Sequence, residues 1–194
     1  MTLKILIAVA LVALVVVLLN VGCAAVRSGY SSAPYQVIRG AGKFELRDYP
    51  ALVVVEAPMR GANDSFRRLF RYIGGQNAAA EKISMTTPVF MAGETTNATM
   101  AFVLPQKMSL DRAPQPAGAE LRVREIAAGK FAVLRFSGRR KAANEACALA
   151  KLEAWMLRQN LKTAGGPVYG YFDPPWTPPF LRRNEVMLRV AAMP

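Results

Sequence analysis

The sequence predicts an α+β domain built on a mainly antiparallel sheet, and three observations lead there. Short segments alternating apolar and polar residues follow one another at hairpin spacing. Two longer stretches carry apolar residues at helical spacing, and the order hairpin, helix, strand pair occurs twice. Gly42-Lys-Phe44 and Gly129-Lys-Phe131 open strands in the two halves, which points to an internal duplication. Connections this short call for no parallel crossovers.

The elements follow in order. Residues 35–39 and 43–49 alternate around Gly40-Ala-Gly42 as paired, half-buried strands, and residues 51–57, with Leu52 to Val55, read as a more deeply buried strand. In residues 63–75, Asn63 is placed as N-cap, Asp64 in the first turn and Gly74 as the stop. Phe66, Leu69, Phe70 and Ile73 recur at i, i+3, i+4 and i+7, while Arg67, Arg68 and Arg71 occupy the opposite side. Residues 83–91 and 98–104 are two further strands, split by the polar turn 93–97. A loop with Pro114 and Pro116 follows. Residues 121–126 and 130–136 are expected to form a second hairpin around Ala128-Gly129. An Ala-rich helix then runs from about Arg139 to Leu161 with Leu149, Leu152 and Met156 on one stripe. Residues 167–172 and 185–190 are strands on either side of a loop bearing Pro174, Pro175, Pro178 and Pro179. Proline cannot donate to a sheet ladder, so this loop is expected to be ordered but irregular, with Trp176 and Phe180 as its anchors.

The 194 residues are enough for one sizeable core, and much of the apolar excess lies in the first 26. A basic start, an apolar run over residues 5–19 and small residues around Gly22, Cys23, Ala24 and Ala25 predict export or membrane attachment. Two versions stay open. Val21-Gly22-Cys23 reads as the end of a lipoprotein signal with acylated Cys23, although Asn20 stands where such signals usually have Leu. Alternatively, residues 5–26 are an uncleaved anchor, about the length that crosses a bilayer core of roughly 30 Å. The division expected is residues 1–26 as signal or anchor, 27–34 as a tether and 35–194 as the folded domain. The expected location is the cell envelope, as a membrane-anchored chain or a periplasmic lipoprotein.

The composition contains no His. That removes the commonest general base, the commonest metal ligand and the usual proximal haem ligand, and with them Ser-His-Asp and Cys-His catalysis and Cys/His zinc sites. Cys147, among Ala146, Ala148 and Leu149, is expected to be a small buried hydrophobe. The net charge of +12 suits an anionic membrane face or acidic ligand groups, and export argues against nucleic acid. A solvated basic face is the plainer account of the same charge.

Three segments carry a resemblance, in one order: Tyr72-Ile-Gly-Gly-Gln-Asn77, Lys82-Ile-Ser-Met-Thr-Thr-Pro-Val89, and residues 171–186. Over residues 35–190 the chain resembles the SOUL family of haem-binding proteins. The resemblance implies a distorted antiparallel β-barrel of about eight strands with two flanking helices and pseudo-two-fold symmetry. It also implies reversible binding of haem or a related porphyrin, without catalysis, in a shallow groove beside the first helix. Carried onto this chain, Phe66 and Phe70 would give apolar contact and Arg67 and Arg71 would meet the propionates. Read as a stripe alone, Phe66 and Phe70 are first of all core. Without His, axial ligation would fall to a thioether of Met85, Met59 or Met91, to Tyr72 or another Tyr, or to no protein group; binding without strong ligation is expected, since a Met on a strand is more often packing. Arg182 could reach a propionate, or Arg182 and Arg183 could pair with Asn184 and Glu185 inside the loop. Two other functions remain open: an envelope scaffold holding a lipid or partner segment in the same groove, and a hydrolase like some GyrI-like relatives, using Glu185 with Tyr169 or Tyr171.

Overall fold

The computed structural model describes residues 29–93 and 97–191, together with Ile5, residues 7–11, Leu14 and Val15, which are helical and exposed. The processing junction at 21–23 and Glu94, Thr95 and Thr96 of the polar turn lie outside the described residues. Among the described residues no helix is long and apolar enough to cross a membrane.

The strands are β1 (Ser31–Ser32), β2 (Gln36–Ala41), β3 (Phe44–Tyr49), β4 (Leu52–Pro58), β5 (Thr86–Thr87), β6 (Val89–Ala92), β7 (Thr99–Val103), β8 (Arg122–Ile126), β9 (Gly129–Phe136), β10 (Val168–Tyr171) and β11 (Asn184–Arg189). Helix α1 (Ala62–Ile73) joins β4 to the β5–β6 stretch, and α2 (Ala142–Arg158) joins β9 to β10. Nine strands form one antiparallel sheet in the order β2-β3-β9-β11-β10-β6-β7-β4-β8. β1 and β5 pair separately and in parallel, so Ser31–Ser32, within the stretch read as a tether, is hydrogen-bonded to the domain.

This order is a palindrome about its central pair. β6 and β10 meet at the middle, with Met91 opposite Tyr169 and Phe90 opposite Gly170. Outward from them, β7, β4 and β8 match β11, β9 and β3, and β2 extends one edge. The duplication therefore exists as a pseudo-two-fold of the sheet, and the halves are interlocked: β3 pairs with β9, while β8 pairs with β4. Two expectations are corrected by this exchange. β8 and β9 do not form a hairpin, and Gly42-Lys-Phe44 and Gly129-Lys-Phe131 belong to adjacent strands, with Phe44 opposite Leu134, rather than to symmetry mates. Alternation identifies a strand but not its partner.

Other boundaries shift for local reasons. Pro88 has no N–H and splits the expected 83–91 strand into β5 and β6. Gly61, at φ 150, precedes α1 and takes the N-cap position expected of Asn63, with no side-chain cap. Gly74 ends the helix as expected, its N–H bonding the Phe70 carbonyl, and Gly75 turns away at φ 106.

The sheet curls into a half-barrel around an inner cluster that joins strands near both of its edges: Tyr49 and Phe131 with Leu52, Val54, Val103 and Met187. Both helices cover the outer face. Leu69, Tyr72 and Ile73 of α1 pack on Val55, Met100 and Phe102, and Leu152, Trp155 and Met156 of α2 pack on Leu46, Leu134 and Val186. Each fully buried apolar side chain of this kind stabilises by about 1.5–3 kcal/mol.

Candidate functional site

The apolar stripe of α1 is divided by the fold. Leu69 and Ile73 are buried, whereas Phe66 and Phe70 are 39% and 53% exposed. Their rings stack at 6.0 Å with an interplanar angle of 14°, and Phe66 meets buried Phe102 edge-on at 5.2 Å. The pair is a shelf: rooted in the core through Phe102, open to solvent above. At about 100° per residue, Arg67 stands about 60° round the helix from Phe70, and Arg71 about 100° round in the same sense. Neither forms an ion pair among the described residues, so both guanidinium groups are available to an anion. Arg68, farther round, bonds Glu120 at 2.7 Å and Asp64 at 3.1 Å. Arg71 also lines a cleft of about 230 Å³ with Arg68, Tyr72, Gln76 and Leu121, on the flank away from the shelf.

Met85 is half-buried against the α1 cluster, as are Met59, Met91 and Met108. Arg182 lies in the Pro loop, where its Nε donates to the Thr177 carbonyl at 2.8 Å and its Nη2 to that of Pro175. None of its contacts reaches α1. The structure thus brings Phe66, Phe70 and Arg67 together, sets Arg71 toward the far flank of the same helix, and places Arg182 elsewhere.

A second polar centre lies on the inner face, and sequence reasoning had seen only its Glu185 and Arg183. Arg47 and Glu185 are fully buried and joined by two hydrogen bonds, Nη1 to Oε2 at 2.7 Å and Nη2 to Oε1 at 2.9 Å. Arg47 also donates to Glu45 at 2.7 Å and to the Tyr49 hydroxyl at 2.9 Å, and its guanidinium lies 4.1 Å from the Tyr35 ring centre. Arg183 gives Glu185 two more bonds, at 3.0 and 2.7 Å, and Arg135 pairs with Glu45. Burial pushes the Glu185 carboxyl up, but the Arg47 and Arg183 bonds outweigh it and hold the pKa below the ordinary carboxylate value. Burial lowers and the Glu185 contacts raise the Arg47 pKa, with a net rise, while burial above all pushes Tyr49 up to about 12. The pair therefore stays ionised and ties β3 to β11. The available signal was Glu45 and Arg47 at i and i+2 of one strand, but alternation does not tell which face is wet.

This arrangement bears on the hydrolase reading. A carboxylate clamped by two guanidinium groups is a poor proton acceptor. Tyr169 stands opposite Val186 rather than Glu185, and the Tyr171 hydroxyl donates to Glu145.

A family model described as SOUL heme-binding protein matches residues 30–189. The chain belongs to the SOUL haem-binding family. No curated protein matches it. Among solved structures it is similar to the C-terminal domain of EcmrR, with a TM-score of 0.55 and 14% identity over 82% of this chain and 99% of that one. It is also similar to a hydrolase from Listeria innocua, with a TM-score of 0.56 and 10% identity over 79% and 94% of the two chains. An uncharacterized conserved protein from Listeria innocua gives 0.55 and 12% over 77% and 92%. Likenesses at such identities concern the fold alone.

The SOUL signatures find structural roles here. Tyr72 donates its hydroxyl to the Pro114 carbonyl at 2.6 Å, and Asn77 organises the following turn, donating to the Tyr72 and Glu81 carbonyls and accepting from the N–H groups of Ala79 and Glu81. Thr86 bonds the Val103 carbonyl, and Thr87 meets Ser32. In the Pro loop, Asp173 accepts the Arg183 N–H at 2.6 Å, and Asn184 donates to the Gly138 carbonyl at 3.0 Å. Its anchors are Phe172 and Thr177, both buried. The expectation for Trp176 and Phe180 is corrected, since they are 78% and 65% exposed. Cys147 is likewise exposed rather than buried: it faces a cleft of about 520 Å³ beside α2, next to Lys43, Phe44 and Lys151. The buried stripe of α2 runs through Ala148, Leu152, Trp155 and Met156, and Cys147 points off it.

Proposed function

We propose that this SOUL domain binds haem or a related tetrapyrrole reversibly on the α1 shelf, without transforming it, and that residues 1–26 hold it at the membrane of the cell envelope as a lipoprotein or anchored chain. The observation that carries the binding site is the exposed, stacked Phe66–Phe70 pair with Arg67, which forms no ion pair among the described residues, beside it. Two large aromatic rings left open to water on a helix otherwise well packed suit a flat apolar face, and guanidinium forks suit propionate carboxylates. The residues fit the group. Phe66 and Phe70 would support the macrocycle and Arg67, nearer the shelf than Arg71, would take the larger share of the charge. The chain offers no His for axial ligation, so affinity rests on apolar burial and charge, with Met85 in reserve as a soft contact. A tetrapyrrole held this way is exchanged rather than fixed. That supports carriage or buffering over catalysis, as does the engagement of Glu185 in its clamp.

Soret titration tests the site. Replacing Arg67 and Arg71 together with Gln is expected to weaken haem binding by about fivefold or more, roughly 1 kcal/mol, with Arg67→Gln alone giving most of the loss. A porphyrin whose carboxylates are esterified should bind wild type and variants almost equally. Equal haem affinity in the folded double variant would move the site off this helix.

A further inference from the structure

The Pro loop presents two aromatic rings that the tetrapyrrole site does not use. Among the described residues Trp176 and Phe180 are the most exposed aromatic side chains, at 78% and 65%. They are not on a slack segment. Arg182 clasps the carbonyls of Thr177 and Pro175, the Thr177 N–H bonds the Pro174 carbonyl at 3.0 Å, and the Thr177 side chain is buried. Residues Pro179–Leu181 form a 3-10 turn, closed by the Leu181 N–H on the Pro178 carbonyl at 3.0 Å. The loop is pinned to the β9–α2 turn by the Gly138 N–H on the Pro179 carbonyl at 2.9 Å. Four prolines restrict the backbone further. A frame this constrained, ending in an outward Trp and an outward Phe, gives up little conformational entropy when the rings are buried by a partner.

The chemistry beside the rings narrows the partner. Arg139 and Lys141, one and three residues after Gly138, are exposed and form no ion pair among the described residues. An aromatic tip edged with cations is the composition that settles at the headgroup level of an anionic bilayer, where Trp is favoured and each Lys or Arg near the surface adds attraction. The same chain carries the apolar run 5–19, and its net charge is +12. We propose that the Pro loop is a second, interfacial membrane contact: Trp176 and Phe180 enter the headgroup–acyl boundary of anionic lipid, with Arg139 and Lys141 against the lipid phosphates. The proposal rests on the membrane reading of residues 1–26 and deepens it, because a tether alone leaves the domain free to rotate, whereas a second contact fixes which face it turns to the bilayer.

The full-length chain is reconstituted into vesicles of phosphatidylcholine with and without phosphatidylglycerol, each made with and without brominated acyl chains. The Trp176 signal is the fluorescence of wild type minus that of Trp176→Phe, a change at an exposed position that leaves buried Trp155 as common background. Brominated lipid is expected to remove most of the Trp176 signal in the phosphatidylglycerol vesicles, with a blue-shifted emission. In Arg139→Gln/Lys141→Gln the quenching should fall, and it should fall for wild type as salt rises. Flotation of the same samples reports the tether independently. A chain that floats while Trp176 stays unquenched and open to aqueous acrylamide overturns the loop contact and leaves the tether standing; it would assign the rings to a protein partner instead. Quenching on the phosphatidylglycerol vesicles together with no flotation on pure phosphatidylcholine upholds the loop contact and removes the tether.

Discussion

Arg47→Met tests the idea that the inner polar centre is a structural clamp. Arg47 makes four side-chain hydrogen bonds, to Glu45, to Tyr49 and two to Glu185, and is fully buried. Methionine keeps the length of its apolar stem but none of its donors. Breaking a buried ion pair from one side costs about 3–5 kcal/mol, because the remaining charge is stranded. Here Glu185 retains two bonds from Arg183, which sets the expected cost at the low end, about 3 kcal/mol. For a domain of this size each kcal/mol lowers Tm by about 2–4 °C, so the variant should melt about 6–12 °C below wild type. Urea unfolding of the full chain in mild detergent, followed by far-UV circular dichroism, gives the free energy directly. The double variant Arg47→Met/Glu185→Leu removes both charges and should recover about 2 kcal/mol of the loss. A single variant within about 1 kcal/mol of wild type would refute the clamp and return Glu185 to the list of groups free to do chemistry.

Two further expectations follow. Burial raises the Glu56 carboxyl, but bonds from Arg124, Thr99 and Arg122 hold its pKa at about 2 against an ordinary 4.5, and Glu185 is lowered in the same sense. The Glu56 stabilisation is therefore complete above pH 4.5 and lost as pH falls from there toward 2, that of Glu185 is lost in the same direction, and Glu56→Gln should flatten part of the decline in urea midpoints measured across the range. For the tether, intact mass of the membrane fraction decides between the two versions: a chain beginning at acylated Cys23, with precursor accumulating in Cys23→Ser, or an unmodified chain carrying the whole leading segment.

Much of the sheet was legible because period-2 alternation marks strands wherever one face is buried, and both helices announced themselves by their stripes. What failed was pairing. β8 and β9 look like a hairpin from their spacing, yet the interlocked halves send β8 to β4 and β9 to β3, a choice made by three-dimensional closure and not by any local residue. In the α1 site, the family resemblance singled out Phe66 and Phe70, but the apolar stripe by itself does not distinguish them from Leu69 and Ile73. A stripe wider than the contact it covers leaves its edge in water, and only packing against Phe102 reveals which residues form that edge. The Arg47 centre was unreadable for the complementary reason: charged residues alternating with Phe44 and Leu46 look solvated until the sheet curls over them. Trp176 and Phe180 reversed expectation because the backbone bonds of Arg182 and Thr177 already hold the loop, leaving the large rings free to face outward.

The central claim is that a tetrapyrrole lies on the Phe66–Phe70 shelf, and paramagnetic broadening locates it most directly. Amide spectra of the labelled chain are recorded with ferric haem and with the diamagnetic zinc porphyrin of the same carboxylates. Haem on the shelf should selectively broaden the resonances of residues 62–73 and of Phe102 beneath it, and Phe70→Ser should abolish the effect while leaving the rest of the spectrum in place. Broadening confined to the cleft beside α2, or none at saturating haem, would contradict it.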